Sequence, residues 1–190
     1  MSELPHDAGP VLLRLARSAI AAGLRVTSWA DDVPLKEDWL RSPGATFVTL
    51  TLGGDLRGCI GSLVAHQALG EDVRSNAVSA AFRDPRFPPL SVDEFKQVDI
   101  EVSVLSDPEP MTFSGKENAL ANLRPGVDGV ILSARGHRAT FLPQVWEELP
   151  DPSQFIAHLM RKAGLPADYW APDIRIDRYQ VTAFHEQVDD

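Results

Sequence analysis

A chain of 190 residues, 44% hydrophobic and 24% charged, has ordinary globular composition and enough length to bury a core as a single domain with a smaller subdomain. Its net charge of −9, from 27 acidic against 18 scattered basic residues, disfavours general nucleic-acid binding, which rests on Lys and Arg neutralising phosphates. No apolar run approaches the ~20 residues that cross a bilayer, and the single cysteine, Cys59, cannot form an intrachain disulfide, so a reducing, cytoplasmic setting is expected.

The opening MSELPHDAGP lacks the basic-then-apolar pattern of a secretory signal, and residues 1–8 are polar enough to be expected disordered. Leu12, Leu13, Ala16, Ile20 and Leu24 recur at helical spacing and predict an amphipathic helix from Val11 to Leu24, ending near Gly23. Residues 28–44, with Trp29, Trp39 and two prolines, read as a connecting segment. Ala45–Leu52 is rich in β-branched and aromatic residues and predicts a strand that turns at Gly53-Gly54-Asp55 and returns along Leu56–Leu63. A three-residue loop pairs Leu52 with Leu56, Leu50 with Gly58 and Val48 with Ile60, giving one apolar face. The other face then holds Thr51 beside Arg57, Thr49 beside Cys59 and Phe47 beside Gly61. A two-residue loop would turn Arg57 toward the core, so the longer loop is expected.

A helix over roughly 70–83 carries Leu69, Val73, Ala77, Ala80 and Ala81 inward and stops at Asp84-Pro85, since a residue before proline avoids helical backbone. Arg86-Phe87-Pro88-Pro89 is a stiff loop. Val98–Leu105 alternates cleanly, Ile100, Val102 and Val104 against Asp99, Glu101 and Ser103. A short helix near 117–123 follows, then a hairpin of Gly129–Ala134 and His137–Leu142 around Arg135-Gly136. Asp151 as N-cap, Pro152 at the first helical position and Gly164 past the end bracket a helix with Phe155, Ile156, Leu159 and Ala163 inside. Asp173–Phe184 reads as one long strand. Six strands, two hairpins and interspersed helices predict an α+β fold, a mainly antiparallel sheet flanked by helices.

Several stretches taken together are similar to one family. LRGCIGSL at Leu56–Leu63, AAFRDPRFPPL at Ala80–Leu90, IEVSVL at Ile100–Leu105, LRPGVDG at Leu123–Gly129 and TFLPQVWE at Thr140–Glu147 follow the order of the AMMECR-type domain, also called AmmeMemoRadiSam system protein A. The blocks span almost the whole chain, and the combination of LRGCIG, FRDPRFPPL and RPGVDG is specific. Ala139 stands where the family usually shows glycine. The resemblance implies an α+β sheet flanked by helices with a smaller subdomain, and no established biochemical activity. It further implies association with a dioxygenase-like protein and a radical S-adenosylmethionine protein. It also implies a functional site at the cysteine-containing LRGCIG segment, in a cleft between subdomains.

Read from the residues, Cys59 is a nucleophile, a redox group or a soft metal ligand on one view and a small apolar filler on the other. No histidine adjoins it except His66, beyond the strand end. Arg57, Glu101 and Ser103 share the polar parity with Cys59 and would converge on it if the two strands lie in one sheet; the bland alternative is an Arg57–Glu101 ion pair. Asn76, Ala80 and Arg83 form one helical stripe. Arg83 and Arg86 suit a carboxylate or phosphate, whereas Asp84 is expected to cap the loop and pair with Arg86. Gln144 follows a strand end, where binding residues collect, and Trp146 reads as core or cleft wall. Five separated histidines make no metal spacing, no metal site is expected, and phosphate-loop, dinucleotide and nucleophile-elbow motifs are absent. The expected ligand-binding set is Arg57, Cys59, Asn76, Arg83, Arg86, Glu101, Ser103 and Gln144, with Cys59 the catalytic candidate and the cofactor unknown. Three functions compete: binding of a small molecule or modified peptide, an enzyme using Cys59, and a protein-interaction module around Phe87-Pro88-Pro89.

Overall fold

A computed structural model describes residues 4–29, 33 and 35–186. The fold is α+β, with antiparallel strand pairings flanked by helices. It divides into two compact units. One holds the chain up to Leu105 together with the segment from Thr182 onward; the other runs from Ser106 to Val181. Residues 1–3 of the expected disordered segment lie outside the described residues, as do 30–32 and 34 of the connecting segment.

The first unit begins with Leu4 packed on the core and α1 (Ala8–Leu24), whose stripe of Ala8, Leu12, Leu15, Ala16 and Ile20 is buried. α2 (Asp38–Arg41) leads into β1 (Pro43–Leu52), β2 (Asp55–Gly61) and the short β3 (Gln67–Ala68). α3 (Leu69–Phe82) follows, then α4 (Val92–Phe95) and β4 (Val98–Leu105). The last strand of the sheet, β9 (Val181–His185), comes from the far end of the chain, and the strand order is β2-β1-β4-β9 with β3 paired to β1. Helices α1 and α3 pack on the face carrying Val48, Leu50, Ile100 and Val102, all essentially inaccessible to solvent. The alternation read from β1 and β4 is what builds this core, because residues two apart share a face.

The register at the first hairpin departs from expectation. Gly53 and Gly54 sit at φ +60° and +89° and close a two-residue turn, so Leu52 pairs with Asp55 and Thr51 with Leu56. Two consecutive positive φ values are what a tight hairpin matching strand twist requires, and only glycine takes them without strain. A bulge then inserts Arg57 between the Thr51–Leu56 and Leu50–Gly58 pairs, and beyond it Leu50–Gly58, Thr49–Cys59, Val48–Ile60 and Phe47–Gly61 run in the expected register. The bulge absorbs the one residue by which the two loop lengths differ. The expected Thr51–Arg57 pairing does not form.

The second unit contains β5 (Glu109–Pro110), α5 (Lys116–Asn122), β6 (Gly129–Ala134) and β7 (His137–Phe141). α6 (Val145–Glu148), α7 (Pro152–Lys162) and β8 (Arg175–Tyr179) complete it, with strand order β5-β8-β6-β7. Asp151 caps α7 as expected, accepting from the Ser153 and Gln154 amides. Val130, Leu132, Phe155, Leu159 and Ile176 are buried together. Trp146 belongs to this core: its ring stacks on Phe155 at 3.7 Å and its Nε1–H donates to the Asp128 carbonyl at 2.7 Å.

The single long strand expected over Asp173–Phe184 is two. β8 and β9 belong to different sheets and break at Gln180, whose N–H donates to Ser106 Oγ while its carbonyl accepts from the Ser106 N–H, both at 2.8 Å. Uninterrupted β-propensity does not reveal a change of sheet, because both halves satisfy the same local pattern.

Candidate functional site

The face of the first sheet opposite α1 and α3 holds the residues whose parity had suggested convergence. β1 lies between β2 and β4, so Cys59, Thr49 and Glu101 stand in one row, and Gly61, Phe47 and Ser103 in the next. Thr49 Oγ1 donates to Cys59 Sγ at 3.4 Å. Ser103 Oγ donates to Glu101 Oε1 at 2.9 Å, and His185 Nδ1 on β9 lies 3.2 Å from Glu101 Oε2. Cys59, Thr49 and Glu101 are half-buried and Ser103 is buried.

Burial pushes the Cys59 thiol above its ordinary value; the Thr49 hydrogen bond and the charge of Arg86 pull the other way without overcoming it, and Glu101 and Asp84 add to the rise. At neutral pH the group is therefore a protonated thiol. Arg57, the cation that shared parity had placed beside it, is engaged elsewhere. The guanidinium is buried and donates from Nε to Glu94 Oε1 at 2.8 Å, and from one terminal nitrogen to Glu94 Oε2 at 3.1 Å and the Pro88 carbonyl at 2.9 Å. It also lies over the Phe87 ring, 5.7 Å from its centroid. Neither alternative for Arg57, convergence on Cys59 or an ion pair with Glu101, is what forms: Arg57 pairs with Glu94, because the bulge frees it from the regular alternation.

β2 is a sheet edge, and its outward backbone groups at Cys59 need partners. Side chains supply them. The Cys59 N–H donates to Asp84 Oδ2 at 3.0 Å, and Arg86 donates to the Cys59 carbonyl at 3.3 Å. Arg86 also grips Asp84 through Nε at 3.0 Å and a terminal nitrogen at 2.7 Å, the local pair expected from the sequence. These hydrogen bonds hold the Asp84 carboxyl well below the usual carboxylate range, the Arg86 contact foremost. The pair imitates a neighbouring strand and blocks the edge.

The two glycines of LRGCIG answer to two different neighbours. A Cβ on Gly58 would collide with the backbone carbonyl of Ala80, where α3 crosses the sheet, and one on Gly61 would collide with the Phe47 ring.

The other expected site residues lie apart from this face. Asn76 is buried on the helix side, donating to the Thr46 carbonyl at 3.0 Å and to Asp72 at 3.0 Å. Asp72, fully buried, accepts from the Thr46 N–H and Oγ1–H, Ser62, Gln67 and Asn76. Arg83, at the C-cap of α3, is exposed. Gln144 is exposed and precedes α6 in the second unit. Three contributors were not singled out from the sequence. Glu94 is visible only as the third helical position after Ser91, a capping-box spacing. Asp72 and His185 carry no local signal. Among the described residues no three metal-ligating side chains gather.

Comparison with other proteins covers nearly the whole chain. The profile of the AMMECR1 family matches residues 13–184. A protein of Methanothermobacter thermautotrophicus is 39% identical over 188 residues, 96% of each chain. Protein MJ0810 of Methanocaldococcus jannaschii is 39% identical over 134 residues, 70% of this chain and 67% of its own. The crystal structure of the uncharacterised protein PH0010 from Pyrococcus horikoshii superposes with a TM-score of 0.85 at 33% identity, covering 94% of this chain and 91% of that one.

Proposed function

This chain belongs to the AMMECR1 family, and on that premise we propose that the face around the LRGCIG strand binds a small polar molecule or a modified peptide rather than seating a nucleophile. The observation that carries this reading is the row Cys59–Thr49–Glu101. It offers a neutral thiol, a hydroxyl and a carboxylate oriented by Ser103 and His185, with the Arg86 guanidinium at its edge and half exposed. A nucleophilic cysteine needs a lowered thiol pKa or a base within hydrogen-bond reach; here the thiol is raised and its partner is a threonine hydroxyl. A binding surface needs converging donors and acceptors held in place, which this face has.

The identification as AmmeMemoRadiSam system protein A, a cytoplasmic component acting with a dioxygenase-like and a radical S-adenosylmethionine protein, belongs to the same proposal. It rests on the motif resemblance. The site is tested by screening metabolites and modified peptides for thermal stabilisation and for protection of Cys59 against alkylation. A stabilising ligand that protects Cys59, and whose effect is lost in Glu101→Gln, supports the assignment. Ligands that stabilise the protein equally well in Glu101→Gln and leave Cys59 unprotected would place binding elsewhere.

A further inference from the structure

In the second unit, β6 lies between β7 and β8, and Ser133 is paired directly with Arg138 on one side and Arg175 on the other. Directly paired residues share a face, so the three side chains stand in one row, guanidinium, hydroxyl, guanidinium. With neighbouring strands ~4.8 Å apart, the two arginine Cα positions are about 10 Å apart across Ser133, a span that two long side chains close from both sides. Both arginines are exposed, and none of the three side chains makes a hydrogen bond or ion pair among the described residues.

The row lines an open depression of about 320 Å³ together with Arg135, His137 and Asp173, at the lower end of the size that holds small ligands. Asp173 brings one negative charge to this lining, its carboxylate accepting from the Arg135 N–H at 3.1 Å and the Tyr169 hydroxyl at 2.7 Å, and the guanidinium groups of Arg135, Arg138 and Arg175 outnumber it. His137 is turned to the Ala163 carbonyl at 2.8 Å. Asp177 follows two residues beyond Arg175 on the same face, beside Ile131. Arg135 stacks over Tyr169.

We propose that Arg138, Ser133 and Arg175 form a binding site for the phosphate monoester group of a small molecule. Two planar guanidinium forks favour an oxyanion that can be gripped bidentately from both sides. A dianionic phosphate matches the charge of both forks, and its three terminal oxygens carry lone pairs enough to accept from the serine hydroxyl as well, whereas a single carboxylate leaves one arginine uncompensated. This site goes beyond the proposed function and stands independently of it, since none of its residues belongs to the Cys59 face.

The test is a titration of the full-length, 15N-labelled chain at pH 7.5 and constant ionic strength. Backbone amides and arginine Nε–H groups are followed while phenyl phosphate, inorganic phosphate or acetate is added. Phenyl phosphate should give saturable shifts at Ser133, Arg138 and Arg175, with affinity at least that of inorganic phosphate and above that of acetate. Arg138→Ala and Arg175→Ala, both at exposed positions, should each weaken binding about tenfold, the loss of one charge-assisted pair. Arg175→Lys, which keeps the charge but not the fork, should fall between. Arg41→Ala, at an exposed position of the first unit, should change nothing. Non-saturable shifts, an equal response to acetate, or unaltered binding in Arg138→Ala and Arg175→Ala would each overturn the assignment. Tighter binding of inorganic phosphate than of phenyl phosphate would overturn the monoester as its ligand.

Discussion

Glu94→Gln isolates what holds the loop beneath the LRGCIG strand. Glu94 closes a capping box, its carboxylate accepting from the Ser91 N–H at 2.9 Å while the Glu94 N–H donates to Ser91 Oγ at 3.2 Å. It is also the carboxylate partner of Arg57, whose side chain is 8% exposed against 30% for Glu94. Glutamine is nearly isosteric and keeps the capping geometry, so the substitution removes mainly the charge. The Arg57 hydrogen bonds, followed by the Ser91 amide, push the Glu94 carboxyl down from 4.5 to about 2. That gap corresponds to roughly 3 kcal/mol. Solvent screening of the partly exposed carboxylate reduces the expected loss on Glu94→Gln to about 2 kcal/mol at pH 7. Since the folded pKa is the lower one, the contribution is complete above about pH 4.5 and disappears as pH falls toward about 2. Urea unfolding followed by tryptophan fluorescence, at pH 7 and at steps down to pH 2.5, should show the gap between wild type and variant shrinking across that window. A gap below 0.5 kcal/mol at pH 7, or one that stays constant down to pH 2.5, would refute the assignment of Arg57 to Glu94.

Three more outcomes follow from the same geometry. Iodoacetamide should modify native Cys59 slowly at pH 7, with a rate that climbs only above the ordinary thiol pKa, because burial raises the thiol; a rate plateau already reached by pH 7 would mean an activated thiolate. Gly58→Ala and Gly61→Ala should each cost about 2–3 kcal/mol in chemical unfolding, since one Cβ meets the Ala80 carbonyl of α3 and the other the root of the Phe47 ring; a loss below about 0.5 kcal/mol at either would contradict the packing. Asp72→Ala should destabilise by roughly 2–4 kcal/mol by stranding the donors of Thr46 and Asn76, and a loss below 1 kcal/mol would show that those donors find other partners.

Much of the candidate face was legible because strands repeat with period two. Alternation in Val98–Leu105 and in Ala45–Leu52 put Glu101, Ser103 and Thr49 on one side, and the sequence by itself determined that these would join Cys59 once the strands shared a sheet. The helix ends at Arg83 and Lys162 were equally readable, since proline, glycine and aspartate act on the backbone locally. What only the tertiary structure decided are choices among long-range partners. Whether Arg57 met Glu101 or Glu94 turned on a one-residue bulge. Whether Asn76 faced a ligand or a buried Asp72 turned on which side of the sheet α3 covers. Whether 173–184 was one strand or two turned on the hydrogen bonds between Ser106 and Gln180, 74 residues apart. Cys59 was the obvious reactive group in the sequence. Burial keeps its thiol protonated while Asp84 and Arg86 brace its backbone, and pairing across such separations leaves no trace in local propensity.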